Sequence, residues 1–420
     1  MIPASNATLI QTAERRSSLR RSSLALTLTM AGGITLLTGC VTTVEAPAAA
    51  NRPADALRNS DLDALHRARA AGAAGAVTER VLTGVVPLGE IPYDEMTLPV
   101  ASPDGAYLAT QIGPAPAWDA LLASDGATLE PATLVEIHRL PITPGEPATK
   151  VATVSEPVVL GRGATATGVY VESPRPNGER WIGLADWTTG SIDWLVSDAG
   201  MVNAFATPGP DGRIAFVRRP VRGPAFELVV REATGAEWSL PADDGEWLMP
   251  TWAGDEGRLY VLHNAGGALS AVCMTGTSAE AAATTRSTLQ LAGGKADRGI
   301  AYQTLASHVV TSPSGSPWPR VYLFHPVSFR TVVWEPPAAP VALDRGSVAA
   351  ASDDADPGYV LMTLGDELVR RHILQSRRRA AVATGTLVPR ATTSAERPYV
   401  LLAPGDGVIS VRGLTVMAAD

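Results

Sequence analysis

Gly209-Pro-Asp-Gly-Arg-Ile-Ala-Phe216 reads as a tight turn followed by a strand, and its return along the chain decides the fold. The turn glycine can take positive φ, and the aspartate can bond its own downstream backbone. Beyond the turn, residues alternate faces, Ile214 and Phe216 against Ala215 and Val217. The pattern returns as Ser102-Pro-Asp-Gly-Ala-Tyr-Leu-Ala109 and Gly254-Asp-Glu-Gly-Arg-Leu-Tyr-Val261, and in weaker form as Gly161-Arg-Gly-Ala-Thr-Ala-Thr-Gly-Val-Tyr-Val171. Asp356-Pro-Gly-Tyr-Val-Leu361 and Glu396-Arg-Pro-Tyr-Val-Leu401 are degraded copies.

A second element follows at a regular offset. Thr189-Gly190, Thr234-Gly235 and Thr275-Gly276 each separate two apolar runs, with glycines 22, 23 and 19 residues after Gly168, Gly212 and Gly257. Each reads as a hairpin turn. One repeat is therefore a strand, an Asp-Gly turn, a strand and a second hairpin, which makes four strands. The intervals from Gly105 to Gly168, Gly212 and Gly257 are 63, 44 and 45 residues. Later units centre near Ser307, Gly358 and Arg397. Four-stranded repeats of about 40–45 residues mark a β-propeller. The expected fold is all-β, a propeller of about seven blades over residues 81–420. The long first interval implies a surface-loop insertion from Gln111 to Pro131. A strand at Val81 to Leu88 is placed to pair with the last unit and close the ring. β-Sandwich domains also have short strands, but do not repeat one turn at 44 or 45 residues.

The two Pro-Asp-Gly turns, with Tyr-Leu-Ala after Gly105 and Arg-Ile-Ala-Phe after Gly212, resemble the repeat of TolB-like propellers, within the wider WD-repeat-like group. The resemblance is good over residues 96–264. Its motif residues are structural, so it implies a fold and no chemistry. Trp181 to Val196, with its Thr-Gly turn and Asp193-Trp194, resembles a single quinoprotein-type blade, as in BamB-like lipoproteins.

The N-terminus points to export. Arg15, Arg16, Arg20 and Arg21 precede an apolar stretch from Leu24 to Leu37, and small residues follow. This is the order of a secretory signal, and the stretch is short of the ~20 residues of a membrane span. Leu37-Thr38-Gly39-Cys40 resembles the lipobox of bacterial lipoproteins. The resemblance implies a signal peptide over 1–39, cleavage after Gly39, and acylation of Cys40. Arg20-Arg21-Ser22-Ser23-Leu24 also looks like part of a twin-arginine signal, and the export route stays open. Val41 follows the cysteine where an aspartate would retain a lipoprotein at the inner membrane, so the outer membrane is permitted in a two-membraned organism. Residues 41–55, rich in Val, Thr, Ala and Pro, read as a tether. Residues 60–74 read as a short helix capped by Ser60, with Leu62, Leu65 and Ala68 near one face.

Composition agrees with a folded exported domain. Of 420 residues, 45% are hydrophobic and 18% charged, with a formal net charge of -8. Removing residues 1–39 takes away four Arg and one Glu, so the remaining chain carries -11. Such a surface repels nucleic acid and anionic headgroups. Cys273 would be left without a disulfide partner, in the apolar run Leu269-Ser-Ala-Val-Cys-Met274, where a buried inert thiol is expected.

Chemistry is sparse. His66, His138, His263, His308, His325 and His372 show no metal-ligand spacing, and those within strands read as blade-surface residues. There is no Gly-x-Ser-x-Gly elbow and no phosphate-binding glycine loop. Asp353, Asp354 and Asp356 offer a weak calcium candidate, but they occupy a repeat turn where aspartate is expected. Trp181, Trp187, Trp194, Trp238, Trp247 and Trp252 fall within 72 residues. Most should pack between blades, and some could form an aromatic binding face. Arg377 to Arg379 read as a solvated hairpin turn. No catalytic residue and no cofactor is expected. The expected function is a monomeric, lipid-anchored envelope protein that binds a protein partner through its loop faces. The alternative is an enzyme or receptor using the channel mouth for a sugar or a quinone cofactor.

Overall fold

The structure is a computed structural model. It describes residues 80–92, 99–113, 133–141, 146–243, 245–253, 257–266, 268–292, 309–311, 320–325, 330–345, 347–348, 359–364, 367–373, 379–384, 399–402 and 408–418. The signal, Cys40, the tether, the helix at 60–74 and the aspartates at 353–356 lie outside these residues.

Strand β1 (Arg80–Pro92) comes first. Blade 1 holds β2 (Val100–Ala101), β3 (Tyr107–Ile112), β4 (Leu134–Arg139) and β5 (Thr149–Thr153). In blade 2 are β6 (Val159–Ala164), β7 (Gly168–Pro174), β8 (Arg180–Asp186) and β9 (Ile192–Val196). Next comes blade 3, with β10 (Met201–Pro208), β11 (Ile214–Pro220), β12 (Glu227–Arg231) and β13 (Glu237–Leu240). Blade 4 is β14 (Glu246–Ala253), β15 (Arg258–Ala265), β16 (Ala268–Met274), helix α1 (Ala279–Thr284) and β17 (Ser287–Ala292). To blade 5 belong β18 (Val309–Thr311), β19 (Val321–His325), β20 (Arg330–Trp334) and β21 (Val341–Arg345). Blade 6 has β22 (Ser347–Val348), β23 (Tyr359–Leu364), β24 (Glu367–His372) and β25 (Arg379–Thr384), and β26 (Tyr399–Leu402) and β27 (Val408–Ala418) end the series.

Within each blade the strands pair in chain order and antiparallel. Blades 2 and 3 join through one parallel bridge, Val202 to Arg180. The first strands of blades 1 to 5 lie side by side in order, the position nearest a propeller axis. Strand β1 pairs with β27 from Arg80–Ala418 to Pro92–Val408, so the first strand joins the last sheet. The fold is a β-propeller.

Alternation along each strand divides the core between neighbouring blades. In β11, Ile214 and Phe216 pack toward blade 2 with Tyr170 and Ile182. Ala215 and Val217 pack on the other side, with Trp247 and Leu248 of blade 4. Both faces are buried because each blade is sandwiched, so apolar residues fill both phases of the period.

The turns explain the repeat and its exceptions. In blade 3, Asp211 (φ 58°) and Gly212 (φ 74°) are both left-handed, and Arg213 N–H donates to the Pro210 carbonyl at 3.2 Å. This is the conformation for which Asp-Gly is selected. Gly209 N–H closes on the Arg213 carbonyl. In blade 1 the same Pro-Asp-Gly closes one residue later, Ser102 N–H on the Tyr107 carbonyl. The added residue reverses the phase. Tyr107 and Ala109 therefore face blade 2, whereas their counterparts counted from the glycine, Ile214 and Phe216, face backward.

Three sequence expectations are corrected. Gly168 is not a turn glycine: Thr165 to Thr167 form the turn, and Thr165 Oγ1 accepts from the Thr167 and Gly168 N–H groups. Gly168 instead starts β7, where a Cβ would sit 2.4 Å from the Ala185 carbonyl oxygen. Thr275-Gly276 does not form a tight hairpin, because α1 follows it, capped by Ser278, whose hydroxyl accepts from Ala281 N–H. The first turn of blade 5 lies between Thr311 and Val321, not at Ser307.

Candidate interaction face

In an antiparallel blade, the turns between strands 1 and 2 and between strands 3 and 4 share one face. The connections between strands 2 and 3, and those from blade to blade, share the other. The first face carries the Pro-Asp-Gly turns of blades 1 and 3 and the Thr-Gly turns of blades 2 and 3, together with the longer connection that holds α1. Asp186 shapes one of them: Oδ1 accepts from the N–H and hydroxyl of both Thr188 and Thr189. The Thr188 hydroxyl and the Thr189 N–H lead in holding this carboxyl down at about 2. The start of β1 at Arg80 and the end of β27 at Ala418 are paired on this same face.

The opposite face carries the connections between strands 2 and 3, of which 113–133 between β3 and β4 is the longest, and those from blade to blade. The expected 111–131 insertion maps to the β3–β4 connection; β3 runs through Gln111 to Ile112, and 114–132 lie outside the described residues. Leu134, at its end, is 46% exposed. Next to it, the connection 174–180 holds Arg175 against two indoles. The guanidinium carbon lies 4.1 Å from the Trp181 ring centre and 4.7 Å from that of Trp194. The two indoles meet edge-on, 5.9 Å apart at 73°. Glu156 approaches Arg175 Nη1 to 3.6 Å, beyond hydrogen-bond range. Glu179 accepts from Gly200 N–H at 2.7 Å, the main cause of its lowered pKa, and from Trp181 Nε1–H at 3.2 Å.

Nearer the axis, β6, β10 and β14 each bulge at a corresponding height. Phe205 (φ 59°) and Met249 (φ 53°) are left-handed there. Glu172 Oε1 accepts from Phe205 N–H at 2.7 Å, and Glu172 Oε2 accepts from Arg180 Nη1 at 2.9 Å, with both side chains buried. Arg162 Nη1 lies 2.8 Å from Met249 Sδ. Asn203 Nδ2 donates to the Arg180 carbonyl. In blade 1, Gln111 Oε1 accepts from Leu160 N–H of blade 2. These polar groups join blades to one another.

Of the six clustered tryptophans, Trp187, Trp247 and Trp252 are buried core, while Trp181, Trp194 and Trp238 are half-buried. Half of the six, and not most of them, are thus buried in the core. His138 and His263 are buried, contrary to a blade-surface reading. His138 lies 3.5 Å from Glu136, and burial lowers its pKa more than that carboxylate raises it. His263 stacks on Trp247 at 4.1 Å, because the two are cross-strand partners. Cys273 is buried, as its apolar neighbours imply. Lipobox residues Leu37, Thr38, Gly39 and Cys40, and the calcium candidates Asp353, Asp354 and Asp356, lie outside the described residues. Among the described residues no group of three or more His, Cys, Asp or Glu side chains could hold a metal. No described helix is long and apolar enough to cross a membrane. Arg175 gives no signal as a site residue in sequence, since its partners are 6 and 19 positions away on strands still to be paired.

The sequence matches no protein-family model and no curated protein. Solved structures similar to it include the Dos1 propeller, at 8% identity over 78% of this chain and 95% of that chain, with a TM-score of 0.45. A putative TolB from Agrobacterium tumefaciens is similar at 12% identity over 80% and 99% of the two chains, TM-score 0.36. Dipeptidyl peptidase 4 of Porphyromonas gingivalis is similar at 9% identity and TM-score 0.43, over 78% of this chain and 52% of the peptidase. At these identities the likeness concerns the fold, which the strand order already gives.

Proposed function

We propose that this chain is an exported, lipid-anchored envelope protein whose propeller serves as a non-catalytic scaffold for a protein partner. One observation carries the reading: Arg175, Trp181 and Trp194 cluster on the face opposite the Pro-Asp-Gly turns. Beside this group, Leu134 is exposed where β4 begins. The start of β1 and the end of β27 are paired on the other face, with those turns. Loops on a rigid scaffold are where binding residues collect, and aromatic and arginine side chains are favoured binding anchors. Leu37-Thr38-Gly39-Cys40 supports lipid attachment, and Val41 permits the outer membrane. A charge of -11 beyond Gly39 disfavours nucleic acid.

The test is affinity purification of the full chain from cross-linked native membranes, with metabolic labelling by an alkynyl fatty acid. A stoichiometric envelope protein that is lost on deletion of 114–131 is the expected result. Cys40→Ala is expected to abolish the lipid label and release the protein from membranes. A clean preparation without a partner would overturn the scaffold reading and turn attention to ligands of the channel mouth.

A further inference from the structure

Arg175 holds a guanidinium with five N–H donors and, among the described residues, no hydrogen-bond acceptor for any of them. Its backbone is fixed, since Arg175 N–H donates to the Glu179 carbonyl at 2.8 Å and Gly178 N–H returns to the Arg175 carbonyl at 2.9 Å. The side chain is only 24% exposed, packed against two indoles, and its buried Nε has no partner among the described residues. The nearest carboxylate, on Glu156, stands at 3.6 Å and is itself 39% exposed. The Nη groups are not among the buried atoms, and a guanidinium held in place presents its Nη edge as the fork that matches a carboxylate. We infer that Arg175, packed against Trp181 and Trp194, is the seat for a carboxylate of the partner, an acidic side chain of a peptide segment. This rests on the scaffold reading for the partner, but the site itself is tested separately.

The chemistry of the seat favours an anion over a cation. A carboxylate binds with the guanidinium left in place and displaces only the loosely held Glu156. A cation would have to expel Arg175 from both rings. The chain's negative charge opposes an acidic segment at long range, but physiological salt screens such forces beyond about 8 Å. Glu156 is then a competitor built into the seat.

The experiment uses the full chain in detergent, with a fluorescent hexaglutamate peptide as probe and hexalysine as counter-probe, followed by anisotropy. Hexaglutamate should bind the native protein. Arg175→Ala should weaken it about tenfold or more, and Arg175→Lys should fail to restore it, because a point charge lacks the planar fork. Glu156→Gln should tighten binding about threefold, as a weak surface ion pair is released. Unchanged thermal melting of each variant separates loss of the seat from loss of the fold. Equal hexaglutamate binding by native protein and Arg175→Ala would overturn the inference, as would hexalysine binding that rises in Arg175→Ala. Absence of hexaglutamate binding while the cross-linked partner still co-purifies would sink the seat and leave the scaffold. Binding of hexaglutamate without any co-purifying partner would do the reverse.

Discussion

Both seams of blade 3 are apolar, with Phe216 meeting Tyr170 and Ile182 of blade 2, but the seam toward blade 2 also carries a buried ion pair. Toward blade 2, Glu172 links the Phe205 N–H to Arg180, and Asn203 caps the Arg180 carbonyl. Toward blade 4, Ala215, Val217, Leu228 and Val230 meet Trp247, Leu248 and Met249 in one apolar cluster. Apolar packing supplies energy without direction, roughly in proportion to area buried. The ion pair supplies direction. It pins the left-handed Phe205 bulge by a carboxylate that accepts only along its lone pairs. A buried ion pair adds little net stability over apolar residues of the same shape, yet removing one member is severe. The two seams therefore respond differently to paired substitutions.

Glu172→Leu takes the carboxylate from the buried Arg180 guanidinium and should cost about 3–5 kcal/mol in urea unfolding. Adding Arg180→Leu should recover most of that loss. If the double variant is as unstable as the single one, the polar part of that seam owes its strength to more than the ion pair.

Trp247→Ala on the side toward blade 4 should cost a comparable amount, about 3–5 kcal/mol, through the cavity it leaves. No second substitution beside it should rescue the protein, since an apolar seam has no uncompensated charge to remove. Rescue by Arg286→Ala, whose guanidinium lies over the same ring at 5.0 Å, would contradict that contrast.

Gln111→Leu tests whether the blade 1 seam belongs with the polar kind. It removes the acceptor for Leu160 N–H and should cost about 1–2 kcal/mol. A neutral result would place that seam with the apolar kind.

The smallest effect lies away from the seams, at Asp186. Its folded pKa, about 2, is below the ordinary 3.8, so its contribution is full above 3.8 and is lost as pH falls through about 2. The carboxylate is exposed, so the effect is modest. Asp186→Asn should flatten the urea midpoint across that acid window while leaving the seam variants' differences intact. An unchanged acid profile would mean that the turn holds without its charge.

Much of the fold was legible because it is written in local chemistry. Pro-Asp-Gly at 210–212 and Thr-Gly at 189–190 and 234–235 need left-handed glycines wherever they stand, and the structure has them there. Cys273 was legible as buried from its apolar neighbours. The Arg175 site was not legible. Trp181 and Trp194 belong to β8 and β9, whose register brings Gly183 opposite Trp194 and leaves the two indoles adjacent. Nothing in residues 174–180 alone announces that neighbour.

By itself, the sequence determined the kinds of element, their repeat and their order, because turns and alternation depend on a few adjacent residues. Only the tertiary structure decided which blade each side chain meets. One extra residue between Ser102 and Tyr107 reverses every position of β3 relative to β11, although both turns read Pro-Asp-Gly. A strand has a period of two, so a difference of one residue, invisible in composition, selects the opposite neighbour.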